Sequence, residues 1–268
     1  MDLPGVNASV PSAARIYDYL LGGKDNFASD REAAEAVLKS VPNARDSARA
    51  NRAFLSRAVR ALAESGVRQF LDLGAGLPTQ ENVHQVAQRV APGSRVVYVD
   101  NDPVVLVHAR ALLADNPDTV VVPADVGDPA SVLDHPVVRS HLDFSRPVGV
   151  LLLAILHFFP EDEKAARIVA GLRRPLVPGS HVVISHGHPG ETTGDLVEKG
   201  RELYGRTPQG AAVGRTRQTL ATWLEGLELL EPGIVPLQAW RPDDLDPLPD
   251  PIPDPAEPGV FGMVAKVP

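Results

Sequence analysis

The sequence contains no cysteine, and this absence excludes several kinds of chemistry. Without thiols the chain can form neither a disulfide framework nor a thiolate metal site, and it has no cysteine nucleophile. A chain of 268 residues is long enough to bury a large core without such staples. The absence of cysteine fits a reducing compartment, so we expect a cytoplasmic protein.

Long hydrophobic runs and an excess of positive charge are also missing. The longest apolar run, residues 148–159, is interrupted by His157 and is too short to span a bilayer. The first residues lack the basic start and apolar stretch of a secretory signal. The formal net charge of −8 offers no overall attraction to nucleic acid. We therefore expect no membrane insertion and no nucleic-acid partner, and the composition leaves the oligomeric state open.

The hydrophobic pattern divides the chain into two parts. Apolar residues recur at helical spacing in residues 11–21, 30–40 and 44–65. From residue 68 onward, short apolar runs alternate with helical patterns, which predicts an α/β fold with a mostly parallel sheet. The predicted strands are 69–73, 95–99, 119–122, 148–155, 181–185, 227–230 and 260–265. The predicted helices of this second part are 80–90, 103–114, 129–138, 161–172, 193–204 and 216–225.

A glycine-bearing turn follows the first predicted strand in the sequence Asp72-Leu73-Gly74-Ala75-Gly76. Such a turn allows a ligand to approach the backbone closely. A dinucleotide fingerprint would need a third glycine at Thr79, which is absent. Acids instead stand at the ends of the next strands, namely Asp100 and Asp125. Because the carboxyl ends of parallel strands meet at one edge of the sheet, these acids predict a single ligand site.

Two other kinds of site are disfavoured by the residues. A short-chain dehydrogenase would need Tyr-x-x-x-Lys, and no tyrosine of the chain has lysine four residues later. The segment Ser185-His186-Gly187-His188 has two histidines, but no thiolate or Glu-x-x-His spacing accompanies them. We therefore interpret that segment as a loop and expect no metal.

The strand-end motifs together resemble the class I S-adenosylmethionine-dependent methyltransferases. They are Asp72-Leu73-Gly74-Ala75-Gly76-Leu77-Pro78-Thr79-Gln80, Val97-Tyr98-Val99-Asp100-Asn101-Asp102-Pro103-Val104 and Ala124-Asp125-Val126. The N-terminal sequence Ala14-Arg15-Ile16-Tyr17-Asp18-Tyr19-Leu20-Leu21-Gly22-Gly23-Lys24-Asp25-Asn26-Phe27-Ala28 is similar to an actinobacterial S-adenosyl methyltransferase family long catalogued as a domain of unknown function. The resemblance covers residues 11–267. It implies a Rossmann-like, seven-stranded, mostly parallel sheet (67–268) with an N-terminal helical lid (1–66).

The resemblance also implies which residues hold S-adenosylmethionine. The Gly74-Ala75-Gly76 backbone would pack against the methionine and ribose moieties, with Asp72 near the amino group. Asp100 would accept hydrogen bonds from both ribose hydroxyls, since a carboxylate has two oxygens. Asn101 would border the adenine, whose exocyclic amine would donate to Asp125.

Further residues are assigned by the same resemblance. The backbone N–H of Val126 would donate to the adenine ring. Ala154 to His157 would line the methyl-transfer side, with His157 as a candidate base. The lid would cover the cofactor through Tyr17, Gly23, Lys24, Asn26 and Phe27, and Tyr17 is a second candidate catalytic residue.

The expected activity is in-line transfer of the sulfonium methyl group to a nucleophile on an acceptor. The acidic charge and the enclosing lid favour a small-molecule acceptor over nucleic acid. One rival function stays open, namely a non-catalytic protein that binds S-adenosylmethionine as a sensor or partner subunit.

Overall fold

The computed structural model describes residues 7–78, 81–113, 116–190, 204–205, 207–208, 210–242, 254 and 257–268. The chain begins with three helices, α1 (Ala13–Leu20), α2 (Ala28–Ser40) and α3 (Ala44–Glu64). Helix α2 starts two residues earlier than expected, because the Asp30 carboxylate accepts a hydrogen bond from Phe27 N at 2.7 Å and caps the first turn there. The other two helices lie within the predicted ranges.

In the part of the chain that the structure describes, eight strands form one sheet, one more than expected. They are β1 (Gln69–Leu73), β2 (Arg95–Asp100), β3 (Thr119–Pro123), β4 (Gly149–Leu153), β5 (His181–His188), β6 (Glu228–Leu229), β7 (Val235–Pro236) and β8 (Gly259–Lys266). The order is β3-β2-β1-β4-β5-β8-β6, with β7 also paired to β8. The first five strands run parallel and β8 is antiparallel to its neighbours. The additional strand is β7, a two-residue segment too short to show a pattern in sequence.

The remaining helices of the described ranges cover the two faces of the sheet, and the helix predicted at 193–204 lies outside those ranges except for Tyr204. They are α4 (Val83–Val90), α5 (Pro103–Leu112), α6 (Pro129–Leu133), α7 (Pro136–His141), α8 (Asp162–Arg173) and α9 (Arg217–Trp223). The single helix predicted at 129–138 is divided in two. Pro136 is the reason, because proline is accommodated in a first turn but breaks a helix interior.

Alternation along β1 assigns its side chains to two separate cores. Leu71 and Leu73 belong to the core on the face covered by α8. Phe70 lies on the opposite face, where Phe54, Leu62 and other α3 residues pack. Because side chains alternate along a strand, Asp72 points to the same face as Phe70, the one that α3 covers. Helix α3 therefore shares a core with the sheet, whereas α1 and α2 form a smaller cluster with the first turns of α3.

The smaller cluster is joined to the sheet by polar contacts. Arg15 and Asp30, which are 4% and 0% exposed, form an ion pair with Nε and Oδ2 2.9 Å apart. Ser12 N donates to Asp30, and Ser12 Oγ donates to Asp102, which follows β2. The start of α1 is thereby fixed against the loop after β2. None of the helices in the described ranges is long and apolar enough to cross a membrane.

The close approach of α3 to the sheet predicts the effect of a small substitution. A Cβ at Gly262 in β8 would lie 2.8 Å from the Phe54 ring, whereas a Cβ at Gly187 in the adjacent β5 would meet nothing within 4 Å. Gly262→Ala should lower the free energy of unfolding by about 1–3 kcal/mol through overpacking. Gly187→Ala, the matched control, should leave it within about 1 kcal/mol. Urea denaturation measures both, and equal stabilities would contradict this packing.

Candidate functional site

A cavity of about 930 Å³ opens at the carboxyl ends of the central strands. Its wall includes loops that follow β1, β2, β3 and β4, together with residues of α1 and α3. Eleven of the predicted site residues line it, namely Tyr17, Asp72, Gly74, Ala75, Gly76, Asp100, Asn101, Asp125, Val126, Ala154 and His157. The structure thus brings together residues that are up to 140 positions apart in sequence (17 to 157).

Gly23, Asn26 and Phe27 were predicted to contact the cofactor, but they do not line this cavity. Their loop closes on Asp18 instead, whose Oδ2 accepts from Asn26 Nδ2 at 2.8 Å. A Cβ at Gly23 would lie 1.9 Å from Asp18 Oδ1, so only glycine fits there. The Arg15 guanidinium carbon lies over the Phe27 ring, 5.0 Å from the centre of that ring. In the structure these three residues close the α1–α2 loop, beside which Lys24 is exposed, and their contact with the cofactor stays a prediction.

The two glycines after β1 serve different purposes. Both have positive φ, +70° at Gly74 and +66° at Gly76, which favours glycine. A Cβ at Gly74 would also lie 2.7 Å from the Ile155 side chain, whereas a Cβ at Gly76 would meet no protein atom within 4 Å. Gly76 therefore borders open cavity, and its backbone N–H donates to Asp100 Oδ2 at 2.9 Å.

Asp72 is a buried acid whose carboxylate has no hydrogen-bond or ion-pair partner in the described part of the chain. Its side chain is only 5% exposed. Burial raises the pKa of Asp72 to about 7, with Arg52 opposing the shift and Asp100 adding to it. A buried carboxylate of this kind is stabilised by any cation that enters the cavity.

Asp100, the last residue of β2, has both oxygens turned to backbone donors. Oδ2 accepts from Gly76 N and Oδ1 accepts from Asp102 N, each at 2.9 Å. Each carboxylate oxygen can accept a further bond, so the group retains capacity for two donors of a ligand. Burial raises the pKa of Asp100, and the backbone bonds oppose that rise.

The loop after β3 supplies a second acid and an apolar contact. Asp125 Oδ1 accepts from Gly127 N at 2.7 Å, which fixes a tight turn, and no described residue donates to the other oxygen. Val126 is 5% exposed and Asn101, across the cavity wall, is exposed. An acid beside apolar and amide groups suits a flat, amine-bearing ring.

His157 lies in a short 3₁₀ helix, Leu156–Phe158, directly after β4. Its ring has no hydrogen-bond partner among the described residues, and burial together with the Arg215 charge lowers the pKa of His157 to about 4. The ring is therefore neutral near pH 7 and has a nitrogen that can accept a proton. Tyr17 differs, since its hydroxyl donates to Ala48 O and accepts from Asn51 Nδ2, each at 3.0 Å.

Arg215 fixes the loop that carries His157. The guanidinium is 3% exposed, and its Nη2 donates to Phe159 O at 2.7 Å while its Nε pairs with Asp162 Oδ1 at 2.7 Å. Its Nη1 donates to His186 Nε2 at 3.1 Å. The segment Ser185-His186-Gly187-His188, interpreted from sequence as a loop, is instead the end of β5. His186 accepts from Arg215 and thereby helps to hold it against the loop that carries His157.

Three of the residues that line or support the site were missed in the sequence. Arg52 and Asn51 line the cavity from α3, and Arg215 supports it. The sequence did contain an indication of Arg52. It lies three residues before Leu55 on the buried stripe of α3, where an arginine is uncommon unless it has a partner or a function. Arg215 gave no such signal, since its partners are mostly backbone carbonyls distant in sequence.

The fold and the cavity together define a doubly wound α/β protein with a cavity at its strand ends, which is where ligands bind in such folds. The sequence matches the S-adenosyl methyltransferase family over residues 3–268, and the chain belongs to that family. The expected methyltransferase class is thereby confirmed, and membership of this family implies the use of S-adenosylmethionine.

Two solved structures are similar over nearly their whole length. A DUF574 family protein from Streptomyces avermitilis MA-4680 is 43% identical, with a TM-score of 0.89, covering 97% of this chain and 99% of that one. A candidate methyltransferase from Thermobifida fusca YX is 42% identical, with a TM-score of 0.87, covering 98% and 97%. None of the curated proteins compared matches this chain significantly.

Because Asp72 is buried, we expect its replacement by a neutral residue to stabilise the protein, and to do so more at high pH than at low pH. With a pKa of about 7 when folded and 3.8 in the reference state, the folded protein retains a proton that the unfolded chain releases. Stability therefore falls as pH rises from about 4 to 7. The full shift corresponds to about 4 kcal/mol, so Asp72→Asn should raise the free energy of unfolding by about 1–3 kcal/mol at pH 8.

Urea denaturation at about pH 4 and pH 8 measures this gain, which should be small at the lower pH. Asp134→Asn is the matched control, because Asp134 is exposed and lies outside the cavity. A loss of stability at pH 8 in the Asp72 variant would contradict the burial of an unpartnered carboxylate.

Proposed function

We propose that this protein transfers the methyl group of S-adenosylmethionine to a small-molecule acceptor bound in the same cavity. The observation that carries the proposal is the convergence of Asp72, Asp100 and Asp125 on one cavity. These three acids stand at the ends of three adjacent strands, so their spacing along the sheet edge follows the strand order β1-β2-β3. A row of this kind suits an elongated ligand with a cationic end and several donor groups.

The residues present fit S-adenosylmethionine along its length. Asp72 has no hydrogen-bond or ion-pair partner among the described residues and suits the ammonium group of the methionine moiety. Asp100 has capacity for two hydroxyl donors, which suits the vicinal diol of the ribose. Asp125 suits the exocyclic amine of the adenine, with Asn101 and Val126 beside the ring. Gly76 leaves the approach to the cavity open.

When bound, S-adenosylmethionine supplies a methyl group on an already activated sulfonium. The protein then has to hold donor and acceptor in line, and correct placement alone contributes much of such a rate enhancement. His157 borders the cavity as a neutral imidazole and can take the proton of an acceptor hydroxyl or amine. Tyr17 serves as part of the wall, since its hydroxyl is held by Ala48 and Asn51.

A small acceptor is favoured by the size and the chemistry of the cavity. At about 930 Å³ it lies near the top of the roughly 300–1,000 Å³ range of pockets for drug-sized ligands, which leaves room beside a cofactor. The wall near His157 includes Phe158, Phe159 and Tyr204. An acceptor with an apolar or aromatic body fits this wall better than a charged polymer does.

Direct binding is the first prediction of the proposed function. Wild-type protein should bind S-adenosylmethionine and S-adenosylhomocysteine in titration calorimetry. Asp100→Ala should weaken both at least roughly tenfold, because two charge-assisted hydrogen bonds are lost. Asp134→Ala, whose carboxylate is exposed and pairs with Arg139, should bind like wild type. If wild type bound neither S-adenosylmethionine nor S-adenosylhomocysteine at high micromolar concentration, the proposal would be contradicted.

Turnover separates an enzyme from a non-catalytic binding protein. Wild type supplied with S-adenosylmethionine and a metabolite extract should produce S-adenosylhomocysteine above the level of extract alone. His157→Asn should reduce that production at least roughly tenfold while cofactor affinity changes little, since a general base contributes to chemistry and not to cofactor binding. Binding without production in any extract fraction would favour the rival sensor or partner function.

A further inference from the structure

Three neighbouring rings form an aromatic wall in the cavity. The ring centres of His157 and Phe158 are 4.4 Å apart, and those of Phe158 and Tyr204 are 5.3 Å apart. Both pairs meet edge to face, with interplanar angles of 66° and 68°, and all three residues line the cavity. Aromatic rings pack favourably against one another in edge-to-face and offset arrangements. The wall is therefore suited to the ring of a planar ligand.

Tyr204 connects this aromatic wall to the N-terminal helices. Its ring packs against the cluster formed by α1, α2 and the first turns of α3. Other members of that cluster also line the cavity, and none of them carries a charge: Tyr17, Leu20, Val37, Val41, Ala44 and Ala48. The acids Asp72, Asp100 and Asp125 belong instead to β1, β2 and the loop after β3. Because burial of an unpaired charge is costly, this part of the cavity favours an uncharged ligand.

Two polar groups of the aromatic wall have no hydrogen-bond partner among the described residues, namely the His157 ring and the Tyr204 hydroxyl. Neither group is among the fully buried polar atoms without a partner, so a ligand in the cavity can reach both. Burial raises the pKa of Tyr204 to about 12, so its hydroxyl stays protonated and can donate. The neutral His157 ring can accept. A ligand hydroxyl, which both donates and accepts, matches the two groups.

The acid–base properties of His157 favour a phenol over other hydroxyl or amine ligands. With a pKa of about 4, His157 is a weak base, and it takes a proton readily only from an acidic hydroxyl. A phenol has a pKa of about 10, as in tyrosine, and is uncharged near pH 7, whereas an aliphatic amine is charged there, as in lysine. A hydrogen bond from Tyr204 to the ligand oxygen favours the phenolate and so assists loss of the proton.

We propose that His157, Phe158 and Tyr204 form a subsite for a phenolic acceptor, a planar aromatic ring that carries the hydroxyl to be methylated. The inference rests on the proposed function and deepens it by naming the class of acceptor. The phenol oxygen forms a bond to the methyl carbon as the carbon–sulfur bond breaks, and the sulfur keeps the electron pair of that bond. The phenolic proton passes to His157, while the Tyr204 hydroxyl keeps its own proton and holds the oxygen in place.

Binding of 2-naphthol to protein saturated with S-adenosylhomocysteine tests the subsite without turnover. The comparison ligands are 2-methoxynaphthalene, which has no hydroxyl proton, and trans-2-decalol, which is not planar. In titration calorimetry wild type should bind 2-naphthol at least roughly threefold more tightly than either, because one hydrogen bond or the ring contacts are missing from the others. His157→Leu should abolish the preference for 2-naphthol over 2-methoxynaphthalene.

A pair of tyrosine variants separates hydrogen bonding from packing. Tyr204→Phe keeps the ring and should weaken 2-naphthol roughly threefold to tenfold, while the affinity for S-adenosylhomocysteine is unchanged. Tyr19→Phe is the matched control, because the Tyr19 hydroxyl donates to exposed Glu35 and the residue does not line the cavity. It should bind 2-naphthol like wild type. With S-adenosylmethionine, wild type should convert 2-naphthol to 2-methoxynaphthalene, and Tyr204→Phe should do so more slowly.

The outcomes distinguish the subsite from the proposed function. If wild type bound S-adenosylhomocysteine but showed no preference for 2-naphthol, or if the two tyrosine variants behaved alike, the subsite alone would be overturned. Preferential methylation of trans-2-decalol would also overturn it. If wild type bound neither S-adenosylmethionine nor S-adenosylhomocysteine, the proposed function would be contradicted and the subsite with it.

Discussion

The pairing of β1 with β2 on one side and with β4 on the other is the constraint on which the cavity depends. After β1 the chain continues on one side of that strand, to β2 and then β3. It later returns to form β4 on the other side, so the loops after β1 and β4 lead in opposite directions. That divergence opens the cleft in which Asp72 and His157 come to line one cavity. Every acid of the site takes its place from this strand order.

The strands and the acids at their ends could be predicted from sequence, because buried parallel strands are continuous apolar runs and their ends share one edge. The part that could not be predicted depends on contacts between distant segments. Gly23 and Asn26 belong to the N-terminal motif, and only the folded α1–α2 loop shows that both contact Asp18. Motif membership alone does not distinguish ligand contact from local closure.

The buried charges of this protein affect folding and ligand binding in different ways. Asp72 is removed from water without a partner among the described residues, which weakens the folded state, whereas Arg15 and Asp30 are buried as a bonded pair. The buried carboxylate of Asp72 can still be stabilised by a ligand, whereas the Arg15–Asp30 pair joins α1 to α2, and residues of both helices line part of the cavity. A cationic ligand group would relieve the first without altering the second.

The contact between Gly74 and Ile155 has a consequence for how this sequence can vary. Ala154 has a positive φ of +51°, and the backbone there directs Ile155 onto the turn after β1, where no Cβ at position 74 would fit. The most recognisable glycine of the motif is thus required by a neighbouring strand's loop as much as by a ligand. Positions 74 and 155 should therefore vary together in evolution. A residue with a side chain at position 74 requires a smaller residue at position 155.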